Sequence, residues 1–310
     1  MVEATEHVHL EVADQWIRSV VTPAGPLEIS RHRPWASVGS VRLADGRLAW
    51  FKACRPVQGF EPRLTAVLHR RWPGRVPQVL AHDETRAWLL TLDAGPAIEW
   101  SADAFPRWIE ILPRYAELQI GEAEHVDDHL RHGVPDLRVE TLGRELATML
   151  GGDLPLERDE IRSLRAFEPR FAELCAELAS MHPAASVQHD DLHGRSVHDD
   201  GTTLRVMDWG DASIGHPLFS LVRLDLSLTE TVGAATRASW FPQLRDAYLE
   251  PWGPAVRPAF ELAHRLGLIA HTFTWYRHRV ALSVEARPAF DELFAPVLRR
   301  ARAMAADLGV

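Results

Sequence analysis

Apolar positions recur along this chain at two different periods, and the switch between them falls near residue 95. Before it, apolar residues alternate in short runs broken by turn residues, the pattern of half-buried strands; after it, they return every three to four positions over long stretches, as in amphipathic helices. Gly25–Ser30, Val38–Leu43 and Arg47–Ala53 predict three strands, the last two joined by the Asp45-Gly46 hairpin turn. A helix is expected over about Pro62–Trp72, with Pro62 at the favoured first position and Leu64, Val67, Leu68 and Trp72 along one side. Pro73-Gly74 ends it. Val79–Ala81 and Ala87–Leu92 predict two more strands around the Asp83-Glu84 turn, and Asp93-Ala94-Gly95-Pro96 marks a hinge near 92–96. Helices follow at about 103–122, 139–150, 158–181, 216–231, 237–249, 257–282 and 287–308, with Pro113 and Pro169 as expected kinks or breaks. The implied class is α+β in two lobes. Residues 1–95 form a small antiparallel-sheet lobe with one helix, and 96–310 form a larger, mainly helical lobe. No internal repeat or low-complexity tract interrupts either.

Composition narrows the class. At 310 residues, 46% hydrophobic and 25% charged, the chain has ample core for one large or two modest domains. Cys54 and Cys175 stand far apart in apolar settings, which argues against a disulfide framework or a zinc site. Met1 to Glu11 carry Glu3, Glu6 and Glu11 without a basic stretch or apolar core, and no apolar run approaches membrane-spanning length, so a cytoplasmic location without membrane association is expected. A formal charge of -9 disfavours nucleic acid and mildly favours a cationic partner. Every basic residue but one is arginine; the exception is Lys52, inside the apolar run Leu48 to Cys54. A lone lysine in an arginine-rich background either marks a narrow phosphate site, where a compact ammonium fits and a planar guanidinium does not, or survives by chance with its stem along a strand.

Gln188 to Pro217 carry the chemistry: a loop rich in histidine and aspartate, a turn, a short strand, and a second acidic turn. Clustered carboxylates repel one another, and a bound cation or a reacting proton normally offsets that repulsion. His189-Asp190-Asp191-Leu192-His193 resembles the H-G-D-L-H loop of the aminoglycoside phosphotransferase family of small-molecule kinases, with Asp190 in the glycine's place. Val206-Met207-Asp208-Trp209-Gly210 resembles the strand ending in I-D-W or I-D-F that follows it in that family.

That resemblance implies a bilobal protein-kinase-like fold and an ATP- and Mg²⁺-dependent transfer of phosphate to a hydroxyl. Lys52, on the third predicted strand, would hold the α and β phosphates. Glu61, the sole acid between Asp45 and Asp83, would pair with it. Asp191 would orient the acceptor hydroxyl and take its proton, and Asp208 would bind Mg²⁺. His189 would brace the loop. Singly, each residue also reads as a helix-start acid, a turn residue or a strand cap.

Two departures from the family pattern stand out. Ser196 occupies the place of the asparagine that holds a second metal, which implies a weakly or water-bound second Mg²⁺, with Arg195 helping to neutralise phosphate charge. The segment from Arg33 to Ser40 has one glycine where a glycine-rich loop is expected, leaving Ser37, Gly39 and Ser40 as backbone phosphate contacts or as a plain hairpin turn. Leu92 and Asp93, at the hinge, are further nucleotide-contact positions. A Walker A loop is excluded, because Lys52 lacks the glycines that must precede it.

For the acceptor, Asp211 and His216 follow the metal aspartate closely, and His271, Trp275 and His278 fall on one helical face that reads as pocket lining or as core. His7 and His9 read as surface or packing residues. The implied partner is a small, hydroxyl-bearing molecule, and the acidic net charge leans toward a cationic one. An antibiotic-like compound, a metabolite of the choline or homoserine type, or a nucleotide held by a degenerate kinase without turnover are the alternatives, and the oligomeric state stays open.

Overall fold

The computed structural model describes residues 10–309, so His7 and His9 lie outside the described residues. In chain order the elements are α1 (Leu10–Val20), β1 (Glu28–Arg33), β2 (Ala36–Arg42), β3 (Leu48–Cys54), α2 (Glu61–Arg71), β4 (Val79–Asp83) and β5 (Trp88–Leu92). Next come α3 (Phe105–Glu122), α4 (Val126–Arg131), β6 (Asp136–Leu137), α5 (Leu142–Gly151), α6 (Arg158–Ala179), β7 (Ser186–Gln188), β8 (Val197–Asp199) and β9 (Leu204–Val206). The last are β10 (Ser213–Gly215), α7 (Ser220–Leu249), α8 (Arg257–Ala281) and α9 (Arg287–Leu308). The chain divides into two compact units: one takes residues up to Ile98 together with Arg195–Gly210, the other Glu99–Gly194 and Asp211 onward.

The first unit is built on an antiparallel five-stranded sheet in the order β1-β2-β3-β5-β4. β3 lies at its centre, and the period-2 alternation of a strand separates its side chains into two sets. Ala49, Phe51 and Ala53 turn to the face covered by Ala13 and Ile17 of α1, closing an apolar core with Val41, Trp88 and Leu90. The Phe51 and Trp88 rings meet edge-on at 5.5 Å, and Trp16 stands 5.6 Å from Trp88. Burying rings of this size is worth roughly 2–3 kcal/mol each. Lys52 belongs to the opposite face. Helix α1 is absent from the sequence-based elements; its apolar spacing, Ala13, Trp16 and Ile17, is that of a short helix lying on a sheet.

The hairpin β8–β9, paired from Val197↔Val206 to Asp199↔Leu204, belongs to the same unit. Ile98 N donates to Val197 O, Asp199 N to Pro96 O, and Val206 N to Arg75 O. This docking requires a glycine at position 95: its φ is +83°, and a Cβ there would collide with the Asp199 carbonyl oxygen.

The second unit is mainly helical, with a three-stranded sheet β6-β10-β7. α3 and α6 run through Pro113 and Pro169, so of the expected kinks or breaks no break occurs at these residues. Each proline removes one backbone hydrogen bond, and the buried stripes of Trp108, Ile111, Leu112 and Tyr115 on α3 and of Leu164, Phe167 and Phe171 on α6 outweigh that loss. The expected helix from 216 begins at Ser220, since Pro217–Phe219 form a tighter 3₁₀ turn. α7 is interrupted at Gly233, whose φ of 80° and ψ of 165° lie outside any helix.

Candidate active site

In the first unit the structure brings together Lys52, Glu61 and Asp208. Strand β3 aims Lys52 away from the apolar core, and its ammonium lies 2.6 Å from Glu61 Oε2 and 2.6 Å from Asp208 Oδ1. Glu61 opens α2 two residues after the Pro56–Gln58 turn and is buried, 2% exposed. The Cys54 thiol donates to Glu61 Oε2 at 3.3 Å. Burial alone would lower the Lys52 pKa, but Asp208 and Glu61 outweigh it and hold the ammonium well above the usual lysine range. Burial pushes Glu61 up against the pull of Lys52, and pushes the Cys54 thiol well up. The cysteine is thus an inert neutral donor.

Asp208 follows β9 with φ 60°, a left-handed conformation that few non-glycine residues adopt. Its carboxylate is 64% exposed. Trp209 beside it is fully buried and donates to Val206 O, which fixes the turn. A Cβ on Gly210 would fall 2.5 Å from the Gln58 amide, so any larger residue there would have to displace that side chain. Ser196 is 2% exposed, and its carbonyl accepts from Met207 N at 2.7 Å. Arg195 directly precedes it, and its carbonyl lies 3.2 Å from His198 Nε2.

Ser37, Gly39 and Ser40 stand within β2, paired on one side with β1 and on the other with β3, and the turn before them is Pro34-Trp35. Gly39 has a packing reason of its own: a Cβ would lie 2.6 Å from Glu28 O. The Ser37 hydroxyl lies 3.0 Å from His32 Nδ1. Leu92 N donates to Gln78 O and Asp93 N to Leu48 O, while the Asp93 carboxylate accepts from Trp50 Nε1 at 2.7 Å and Gly95 N at 3.2 Å.

In the second unit the loop after β7 carries Asp191. Arg223 Nε donates to Asp191 Oδ1 at 3.2 Å, and His193 Nε2 lies 3.2 Å from Oδ2. Asp191 N donates to His189 Nδ1 at 3.3 Å, and His189 N donates to the Tyr115 hydroxyl at 3.0 Å. Tyr115 in turn shares a hydrogen bond with Ser220, next to a buried network centred on Gln119, Tyr248 and Ser186. Burial raises the Tyr115 pKa and keeps the hydroxyl neutral.

The acceptor candidates fall into three settings in this unit. Asp211 Oδ1 lies 2.6 Å from His278 Nε2. His271 Nδ1 faces Asp190 Oδ1 at 3.4 Å, and its Nε2 accepts from Trp275 Nε1 at 3.1 Å. His216 is 2% exposed, neither ring nitrogen has a hydrogen-bond partner, and burial lowers its pKa to about 4. Sequence reasoning missed Arg223 and Tyr115. An arginine on a long helix and a tyrosine in an apolar stripe carry no local sign of a loop distant in sequence, and the latter reads as plain core.

The sequence matches no protein-family model and no curated protein. Solved structures nonetheless resemble it over nearly its whole length. A macrolide 2′-phosphotransferase from Brachybacterium faecium is 17% identical with a TM-score of 0.62, the match covering 93% of this chain and 97% of that one. An aminoglycoside 2′-phosphotransferase solved with GDP is 15% identical with a TM-score of 0.65, covering 96% and 99%. A choline kinase from Streptococcus pneumoniae is 11% identical with a TM-score of 0.63, covering 93% and 98%. The chain therefore has the α+β fold of the small-molecule kinases, as the two motif segments imply.

Proposed function

We propose that the protein is an ATP- and Mg²⁺-dependent O-phosphotransferase acting on a hydroxyl of a small molecule. The observation that carries this reading is the bridging of Lys52 to both Glu61 and Asp208. An ammonium kept charged by two carboxylates is the group that a triphosphate needs, and phosphoryl transfer asks a protein mainly for positioning and charge neutralisation.

Asp208, next to Met207 whose N–H bonds the Ser196 carbonyl, suits Mg²⁺. No group of three or more His, Cys, Asp or Glu among the described residues could cage a metal, and Mg²⁺ is commonly held by one or two carboxylates with substrate phosphates completing its shell. Bound there, the cation would neutralise developing charge on the phosphate oxygens. Lys52 then holds the phosphates, and Glu61 keeps Lys52 extended. Asp191 orients the acceptor hydroxyl and takes its proton, while Arg223 and His193 fix the direction of that carboxylate. The strand pairing of Ser37, Gly39 and Ser40 leaves the Pro34-Trp35 turn and Arg195 as the more open groups for phosphate.

The acceptor proposed is an antibiotic-like, sugar-bearing compound, supported by the macrolide and aminoglycoside phosphotransferases among the structural neighbours; the choline kinase supports the metabolite alternative. A net charge of -9 favours a cationic acceptor in either case. ADP release measured with ATP and Mg²⁺ over kanamycin, erythromycin, choline and homoserine separates the alternatives. Asp191→Asn should lower kcat by about 10²- to 10⁴-fold while nucleotide affinity holds. Turnover that survives Asp191→Asn would refute the assignment, and no turnover with any acceptor would point to a nucleotide-binding homologue.

A further inference from the structure

The second positive-φ aspartate, Asp190, has no part in the chemistry just described, yet it combines two unfavourable features at one position. Its φ is 59°, a conformation that suits glycine, and its carboxylate is buried at 5% exposure with Oδ2 lacking any hydrogen-bond partner. Strained residues and half-satisfied buried carboxylates persist where the surroundings over-determine them, and they gather at functional sites. Here the residue directly precedes Asp191.

What the side chain gains is a fixed partner on α8. His271 Nε2 accepts the Trp275 N–H, so the proton of the neutral ring sits on Nδ1 and is directed at Asp190 Oδ1. The guanidinium of Arg277, two residues beyond Trp275, adds an attractive charge toward Asp190 and Asp211. On its other side the loop is held through His189 N on the Tyr115 hydroxyl. Asp191 therefore directly follows two anchored residues, His189 held on α3 and Asp190 held on α8, and α8 reaches the loop through Asp190.

The geometry points to Asp190 as a positioning residue: the Asp190–His271–Trp275 chain ties the loop to α8 and so sets the direction of the Asp191 carboxylate. This rests on the kinase reading for its consequence in catalysis, though not for the anchor itself. His271 and Trp275, candidates for acceptor contacts by sequence, are on this view parts of the loop's support.

Asp190→Gly removes the carboxylate and relieves the backbone, so the variant should melt at or above the wild-type temperature. Amide exchange over residues 189–193 should nonetheless accelerate, and the Nδ1–H signal of His271, assigned in ¹⁵N-histidine protein by comparison with His271→Phe, should shift. With the best acceptor found, or with water as acceptor, kcat should fall about 10- to 100-fold at unchanged nucleotide KM. Asp190→Asn, which tolerates positive φ and keeps an acceptor oxygen for His271, should restore most of the rate. His271→Phe should match the glycine variant and add little to it in the double variant. Unchanged exchange in Asp190→Gly, or unchanged kcat in an active enzyme, overturns the assignment. If the wild type proves inert toward every acceptor, the kinase reading fails, and the exchange measurement still decides for or against the anchor.

Discussion

Replacing Lys52 by methionine tests the charge arrangement most directly, because the two ion pairs it makes differ in environment. Asp208 is 64% exposed, so its pair with Lys52 contributes at most about 1 kcal/mol to stability. Glu61 is 2% exposed and 2.6 Å from the ammonium, and removing one partner of a buried pair costs roughly 3–5 kcal/mol. The 15% exposure of Lys52 places the expected loss at the low end, about 3 kcal/mol, or several degrees of melting temperature at roughly 2–4 °C per kcal/mol. The loss should depend on pH. Burial already raises the Glu61 pKa while Lys52 pulls it down, so without Lys52 the folded protein binds that proton more tightly than the unfolded chain does. The deficit therefore shrinks as pH falls through the acid range, where a protonated Glu61 needs no counter-charge. Lys52→Met/Glu61→Leu, which replaces the buried pair by apolar groups, should recover much of the loss. Thermal and urea unfolding between about pH 5 and pH 8 measure all three. Equal stability of Lys52→Met and wild type, or a double variant that is the sum of two single losses, would refute the buried-pair argument.

Other consequences can be measured independently. His216, with a pKa lowered from 6.5 to about 4 by burial, stays neutral in the folded state while the unfolded chain takes up its proton, so stability should decline between those values by up to ~3 kcal/mol. His216→Phe should flatten that part of the pH–stability curve, and an unaltered curve would contradict it. Gly95→Ala should destabilise by about 2 kcal/mol or more, because it adds a Cβ both at positive φ and against the Asp199 carbonyl; urea unfolding reports it. Ser196→Asn, which restores a longer oxygen donor, should steepen the Mg²⁺ dependence of turnover, and an unchanged dependence would argue against a weakened second metal.

The sequence spoke most clearly where a short period met a rare residue type. The apolar run around Lys52, following the Asp45-Gly46 turn, placed it on the third strand, and the scarcity of acids between Asp45 and Asp83 isolated Glu61; the ion pair joins these two residues. Helix limits after residue 100 were largely legible from their apolar stripes, and the prolines within α3 and α6 break neither helix because packing, which local sequence does not display, overrides one missing hydrogen bond. Helix α1 escaped notice although Ala13, Trp16 and Ile17 are spaced for it, since one short stripe weighs little before a strand-rich region. The resemblance implies a phosphate-covering turn over Ser37 to Ser40, although the strand expected from Val38 overlaps it, and their strand pairing depends on β1 and β3. Arg223 was invisible for another reason: its partner Asp191 lies 32 residues away, and nothing along α7 singles it out among so many arginines.

The hairpin that joins the first unit from beyond residue 194 constrains how this protein can be made. A ribosome that has released the five strands of the sheet must still synthesise more than a hundred residues before Asp208 emerges, on the order of 5–20 s at usual elongation rates. Until then Lys52 has Glu61 alone, and the Gly95 turn has no Asp199 to close upon. Expression fragments that end near the hinge should accordingly be poor folders, and a fragment that links residues up to Ile98 directly to Arg195–Gly210 is a better route to an isolated first unit.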